Sequence, residues 1–169
     1  MSTDALHNVF YTRLQRRLHW LVILLVTFQY SSQSAMRVAM GAVEQQITLN
    51  FVQFLVTTLH TWSGITIAIV MLWRWQLRSR VVPLNGGHMH GWKERVVKAN
   101  HVSVYLVMFV MASSGAMHYY FGWHIAARWH ELGKWILLAL IVSHVVGAFY
   151  HAFRGSTVLR RMMGSSSLR

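Results

Sequence analysis

Apolar residues run through this chain in four long stretches, with charged side chains only at their borders. No Asp, Glu, Lys or Arg occurs in 18–36, 45–73, 99–127 or 135–153, stretches of 19, 29, 29 and 19 residues. About 20 apolar residues in helical form cross a hydrocarbon core. Backbone polar groups cannot go unpaired in lipid, so stretches of this length read as helices and not as strands. The pattern predicts four transmembrane helices near 18–36, 51–73, 99–119 and 130–153. Together they make an all-α integral membrane four-helix bundle, in a single domain covering 1–169.

Composition changes the meaning of the charge. The chain is 54% hydrophobic and 12% charged, with 16 Lys and Arg against 4 Asp and Glu, a net charge of +12. A soluble basic protein carries about twice that share of charge, so nucleic acid is not the partner that the positive balance implies. Basic residues gather on the cytoplasmic side of membrane proteins. With the N-terminus inside, the inner segments hold Arg13, Arg16, Arg17, Arg74, Arg78, Arg80, Lys93, Arg95, Lys98, Arg154, Arg160, Arg161 and Arg169, which is 13 of the 16. Arg37, Arg128 and Lys134 remain outside. Both termini are thus expected in the cytoplasm of a bacterial inner membrane, with the basic rim attracted to anionic lipid. A basic start before an apolar run also fits a cleaved signal peptide, with Ser34-Ala35-Met36 near its end, but the run is long for one. Pro83 with Asn85-Gly86-Gly87 marks a turn in the inner loop, and Gly164-Ser165-Ser166-Ser167 a flexible tail. The absence of cysteine excludes disulfides, a thiol nucleophile, iron–sulfur clusters and thioether-attached haem.

Histidine is the residue in surplus, with eleven copies. An ionisable side chain inside a membrane helix is expensive and points to function. His19 falls in the first helix, His60 in the second, and His130 and His144 in the fourth. Along the fourth helix, His130, Gly133, Leu137, Leu140, His144, Gly147 and His151 follow a three-four alternation, which is one interior face of a bundle helix. His130 and His144 are each followed three residues later by glycine. His60 has Gly64 one turn on. Glycine there lets a flat, bulky group lie against the backbone.

His130 and His144 are 14 residues apart, roughly 21 Å along the helix at 1.5 Å per residue. That leaves room for two porphyrins, one above the other, each held by a second imidazole from a facing helix. One arrangement pairs His60 with His130 outside and His19 with His144 inside. Its weakness is depth, because His19 is two residues from Arg17 while His144 is ten from Arg154, a mismatch of roughly 12 Å. Pairing His19 with His151 and His60 with His144 matches depth better but brings the two porphyrins within roughly 10 Å. The wider spacing is preferred. Zinc is disfavoured because the two helix-4 imidazoles are too far apart to share one ion. His7, His88 and His90 fall in polar inner segments and His118 and His124 near the outer surface, where solvated or hydrogen-bonding roles are expected. Trp20, Trp73, Trp75, Tyr119, Tyr120, Trp123 and Trp129 read as interface anchors.

These residues carry a resemblance. Arg13-Leu14-Gln15 with Leu18-His19-Trp20, His60 with Gly64, His101 with Tyr105 and Gly115, Trp129-His130-Glu131, His144, His151 and Leu159-Arg160-Arg161-Met162-Met163 make the chain similar to the bacterial cytochrome b561 family of small di-haem membrane cytochromes. The resemblance runs over most of its length. It implies two non-covalent b haems in the bundle interior, with His19, His60, His130 and His144 as the axial ligands of the haem irons, and so supports the wider pairing. The nearest branch implies superoxide oxidation with ubiquinone as electron acceptor. Longer relatives are haem-bearing membrane anchor subunits of periplasmic dehydrogenases, which is the alternative reading.

With two imidazoles on each iron no position is open, so such haems carry electrons and do not bind oxygen. The expected route runs from an outer donor, superoxide or another periplasmic reductant, through two haems to a quinone near the cytoplasm. His101 and His151, both near the inner face, are the candidate quinone site, with Arg74, Arg78 and Lys98 as electrostatic helpers. Gly64, Gly133 and Gly147 are the candidate haem-packing positions. The residues name no further catalytic group. On the outer surface Arg37, Arg128 and Lys134 exceed Glu44 and Glu131, a slight positive excess that favours an anionic donor.

Overall fold

A computed structural model describes residues 12–79, 92–154 and 162–163. They form four helices, α1 (Arg13–Glu44), α2 (Phe51–Ser79), α3 (Trp92–Phe121) and α4 (His124–Phe153). The calls on His7, Arg80, the Pro83–Gly87 turn, His88, His90, Arg160, Arg161, Arg169 and the Gly164–Ser167 tail fall outside the described residues.

Local chemistry sets where the helices begin. Thr12 and Gln15 exchange hydrogen bonds, Gln15 N to Thr12 Oγ1 at 3.1 Å and Thr12 N to Gln15 Oε1 at 3.0 Å. Asn50 and Gln53 do the same before α2, at 2.9 and 3.0 Å. Each exchange satisfies two of the amide groups that a helix start leaves without partners. Between α3 and α4 the chain reverses within two residues, with Gly122 at φ +66°, a backbone conformation that side chains with a Cβ resist. Between α1 and α2, Gln46 takes the left-handed conformation at φ 58°.

Each helix runs past the apolar stretch read from the sequence. At 29 to 32 residues they are roughly 44–48 Å long, well beyond the ~30 Å of a hydrocarbon core. An uncharged window marks the part of a helix that lipid surrounds. The helix itself continues through flanking residues such as Arg13 and Arg16, whose long side chains reach polar surroundings.

Among the described residues, three helices carry spans long and apolar enough to cross a membrane: Phe51–Arg78, Arg95–Phe121 and His124–Phe153. Of the four transmembrane helices expected, these three meet that test of length and composition; in α1, Gln29, Ser31, Ser32, Gln33 and Ser34 dilute the second half. Several of these polar groups are internally satisfied. Ser31 Oγ donates to Thr27 O at 2.9 Å, and Ser32 Oγ to Phe28 O at 2.8 Å. Leu24, Phe51, Trp62, Val146 and Phe153 are among the many large apolar side chains left uncovered by protein. A soluble chain rarely shows such a continuous apolar surface. The protein is a membrane protein.

The helices pack as two hairpins, α1 with α2 and α3 with α4, joined chiefly through α2 and α3. The core between them holds Leu18, Val22, Ile67, Val70, Met71, Tyr105, Met108 and Leu137, with contributions from all four helices. α1 and α4 stand further apart. An open groove of about 380 Å³ separates them, lined by Val26, Thr27, Tyr30, Ser31, Leu138 and Ile141. Beside it the Tyr30 hydroxyl donates to Lys134 O at 2.6 Å and ties the two helices together. The two hairpin turns share one end of the bundle, the hairpin end. Arg13, Ser79, Trp92 and Arg154 mark the other, the terminal end.

Candidate functional site

Histidines meet at two levels of the bundle. Toward the hairpin end, His60 of α2 and His130 of α4 stand close enough for their charges to interact. The buried Ser32 of α1 reaches His60, with Oγ 2.8 Å from Nδ1. The same Oγ lies 2.8 Å from Phe28 O and 3.3 Å from Gln29 O, so an imidazole that donates from Nδ1 leaves the hydroxyl its single hydrogen for a carbonyl of α1. For His130 the tautomer is fixed by its partner. Its Nδ1 lies 2.9 Å from Met111 O, and a carbonyl can only accept. The His130 ring thus carries hydrogen on Nδ1 and keeps the Nε2 lone pair for a metal.

Neighbouring residues hold these rings in place. Gln29 Nε2 donates to His60 O at 2.7 Å and to Ser63 Oγ at 2.8 Å, clasping α1 to the turn that carries His60. His130 lies against Gly115 of α3, where a Cβ would come within 3.0 Å of its Cε1 and 3.1 Å of its Nδ1. Only glycine seats the ring there without a shift. The other glycines differ among themselves. A Cβ on Gly133 would meet Met111 Sδ at 2.5 Å, one on Gly64 would meet Gln29 Nε2 at 3.4 Å, and one on Gly147 would find open space.

At the second level, toward the terminal end, His19 of α1, His101 of α3 and His144 of α4 form one cluster. The His19 and His144 ring centres are 6.4 Å apart. Metal–imidazole bonds are about 2 Å long, so two rings on opposite sides of one ion have centres roughly 6 Å apart. His19 and His144 are spaced for that. His101 packs edge-on against His144 at 5.0 Å and 90°, a ring-to-ring contact with no room for an ion between. Its Nδ1–H donates to Val97 O at 2.8 Å. Arg74 stands within electrostatic range of all three histidines and is held by a 3.2 Å bond from Nη1 to Gln15 O. Arg78 is in range of His101.

His151 does not join this cluster. Its ring contacts Tyr150, and among the described residues no hydrogen bond or ring contact links it to His101. Lys98 is exposed on α3. The depth mismatch expected between His19 and His144 does not arise, because α4 carries Arg154 a further ten residues beyond the level where the two rings meet.

At the hairpin end, Glu131 pairs with both Lys134 and Arg37, the latter at 3.8 Å. Two of the three cations read as an outer positive excess therefore share one carboxylate. Arg128 is exposed and, among the described residues, makes no ion pair. His118 and His124 approach to 6.3 Å between ring centres across the α3–α4 turn.

Ser32, Gln29, Ser63 and Met111 were not singled out in the sequence. For the first three a signal exists. Gln29, Ser32 and Ser63 are polar side chains within otherwise apolar runs, and in a membrane helix such groups seek partners in the bundle interior. Met111 contributes a backbone carbonyl, for which no side-chain pattern exists.

A family model described as prokaryotic cytochrome b561 matches residues 10–165. Neither a curated protein nor a solved structure matches the chain.

Proposed function

Since the chain belongs to the prokaryotic cytochrome b561 family, a family of b-type haem proteins that carry electrons in membranes, we propose that it is a di-haem superoxide oxidase that reduces ubiquinone. His60 and His130 would hold one haem at the hairpin end, which faces the periplasm. His19 and His144 are the ligands toward the terminal end, which faces the cytoplasm. In this reading α1 spans the membrane with the other three helices, and both termini are cytoplasmic. The observation that carries the assignment is the arrangement of the imidazoles: His130 with hydrogen on Nδ1 and Nε2 free, His60 facing it from α2, and His19 and His144 spaced to share one ion.

Haem, when bound, would supply one-electron oxidation and reduction, and His19, His60, His130 and His144 would hold it. The chain does the rest. Ser32 and Met111 O hold the hairpin-end imidazoles in the ligating tautomer, as partners of a ligand's second nitrogen commonly do. Gly115 seats the His130 ring, and Gly64, Gly133 and Gly147 keep the backbone narrow beside the histidines. Overall, two superoxide anions lose one electron each to give two oxygen molecules, and one ubiquinone takes those two electrons with two protons to give ubiquinol. The protons enter from the cytoplasm near His101, which sits against His144 and within range of Arg74 and Arg78. His151, one turn from the end of α4, lies on the same side of the membrane and lines the approach.

A reduced-minus-oxidised spectrum of the purified protein, with haem-to-protein stoichiometry and superoxide-driven ubiquinol formation, tests this reading. The expected result is about two haems per chain, reduced by superoxide without another protein. Two haems with no response to superoxide would favour an anchor subunit that passes electrons between a periplasmic dehydrogenase and the quinone pool. Absence of haem would overturn both.

A further inference from the structure

Arg74 is a cation on the interior stripe of α2. Val70 and Met71 precede it by four and three residues and Leu77 follows it by three, so all four share one face of the helix. Val70 and Met71 are buried in the core, and Leu77 packs against it. A charge so placed in a membrane helix is costly and points to function.

The guanidinium is fixed against α1. Nη1 donates to Gln15 O at 3.2 Å, and Gln15 Nε2 donates in turn to Leu77 O at 3.4 Å. Gln15 precedes His19 by four residues, so the carbonyl that accepts from Arg74 is also the helical partner of the His19 amide. The charge thus stands one turn from His19, roughly 5 Å along the helix. Among the described residues, Arg74 is the cation within electrostatic range of both His19 and His144. The carboxylates of the described side chains, Glu44 and Glu131, both lie at the hairpin end. The surroundings of His130 differ in sign. Lys134 and Glu131 are both in range of it, but they pair with each other and largely cancel. Its Nδ1–H is given to Met111 O, a bond that raises the basicity of a ligating imidazole and so favours the oxidised metal.

We infer that Arg74 makes the site of His19 and His144 the easier of the two to reduce, and so sets electron flow toward the terminal end. The inference rests on the reading of the four histidines as ligands of two haems. Reduction adds one negative charge at an iron, and a fixed positive charge nearby favours that form. A unit charge roughly 10 Å away within protein shifts a one-electron equilibrium about tenfold, or about 59 mV. One electron then leaves the hairpin-end haem, which is oxidised, and reduces the terminal-end haem, and no proton moves with it. Arg74 acts here on the haem and not on the quinone, because its donors are turned to α1 beside His19.

Potentiometric titration of the purified holoprotein, with both spectral components followed, tests this. His60→Ala and His19→Ala identify which component belongs to which end. In the wild type the terminal-end component is expected to have the higher midpoint. Arg74→Gln keeps a donor and removes the charge, and is expected to lower that midpoint by the equivalent of about tenfold while the hairpin-end midpoint stays within about twofold. Arg74→Lys keeps the charge without the fork and is expected to stay within about threefold of wild type. Gln15→Glu sets a negative charge beside the guanidinium, yet suits the start of α1, where Glu can make the same exchange with Thr12. It is expected to lower the same midpoint, and decides the matter should Arg74→Gln fail to hold haem. Equal shifts in Arg74→Gln and Arg74→Lys would reduce Arg74 to a clasp between α1 and α2 and overturn the inference. Unshifted midpoints with a raised KM for ubiquinone would assign the charge to the quinone and overturn it as well. Wild-type protein with fewer than two haem components overturns the di-haem reading and the inference with it.

Discussion

The Ser32 hydroxyl and the His60 Nδ1, 2.8 Å apart, join α1 to α2, and the same hydroxyl lies 2.8 Å from Phe28 O on its own helix. With its one hydrogen on Phe28 O, Ser32 accepts from His60 and holds that ring with hydrogen on Nδ1. Ser32→Ala removes that acceptor, releases the ring and lets the proton move to Nε2. Loss of such a partner commonly costs 10–100-fold in metal affinity. The expected outcome is weaker retention of the haem assigned to His60 and His130, read as a fall in that spectral component after detergent exchange, while the His19/His144 component persists. Equal retention in the variant would mean that Ser32 serves only the packing of α1.

Much of this was legible before any coordinates. Uncharged runs located four helices, and the three-four spacing put His130 and His144 on one face, because both signals depend on side-chain polarity at fixed helical periods. Helix ends were not legible in the same way. Arg13 and Lys93 lie inside helices although lipid would reject them, since a helix outlasts the membrane that surrounds it. The roles of Met111 and Gly115 were hidden for another reason. A carbonyl that accepts from His130 and a glycine that seats its ring belong to α3, and only the α3–α4 packing brings them there. The grouping of His101 with His144, and not with His151, likewise depends on how far two helices slide past each other.

Four alanine variants test the pairing of ligands. His60→Ala and His130→Ala should remove one spectral component, and His19→Ala and His144→Ala the other, because each iron needs both imidazoles. Pyridine haemochrome assay should fall from about two haems per chain to about one in each variant, as one imidazole pair satisfies one iron. If His19→Ala and His144→Ala depleted different components, the 6.4 Å approach of those two rings would not mark a shared iron.

Tyr30 offers a test of stability that is separate from the site. Its hydroxyl donates to Lys134 O at 2.6 Å, a polar bridge between α1 and α4, which otherwise stand apart. Interhelical hydrogen bonds in membrane proteins are worth on average about 0.6 kcal/mol and up to ~1.7. Tyr30→Phe should destabilise the folded protein by about that much in a denaturant titration in mixed micelles, leaving the haem spectrum in place. A loss several times larger would show that the bridge also closes the groove beside it.

His101 and His151 were read together as a quinone site, and the structure gives them different surroundings. His101 packs on His144 within range of Arg74 and Arg78, whereas the ring contact of His151 is with Tyr150. His101→Leu should slow ubiquinone reduction about tenfold or more with both haem components retained, as removal of a proton-transfer group commonly does. His151→Leu should slow it less, through access alone. Loss of a haem component in His101→Leu would instead make His101 a ligand or its support.

Superoxide is an anion, and a small positive excess near its point of encounter raises the rate of approach. Glu131 engages both Arg37 and Lys134, so much of the attraction expected from those two is cancelled where it arises. Arg128, exposed on the first turns of α4, is left as the principal steering charge. Arg128→Glu should therefore slow haem reduction by superoxide several-fold at low ionic strength. The difference should shrink toward nothing as salt approaches 1 M, where the screening length is about 3 Å. Glu131→Gln releases two cations at once and should change the rate in the opposite direction under the same conditions. Stopped-flow measurement of haem reduction over a salt series reads both variants. A rate unaffected by salt and by either substitution would remove electrostatic steering from the mechanism and leave the donor to be recognised by contact at the haem edge.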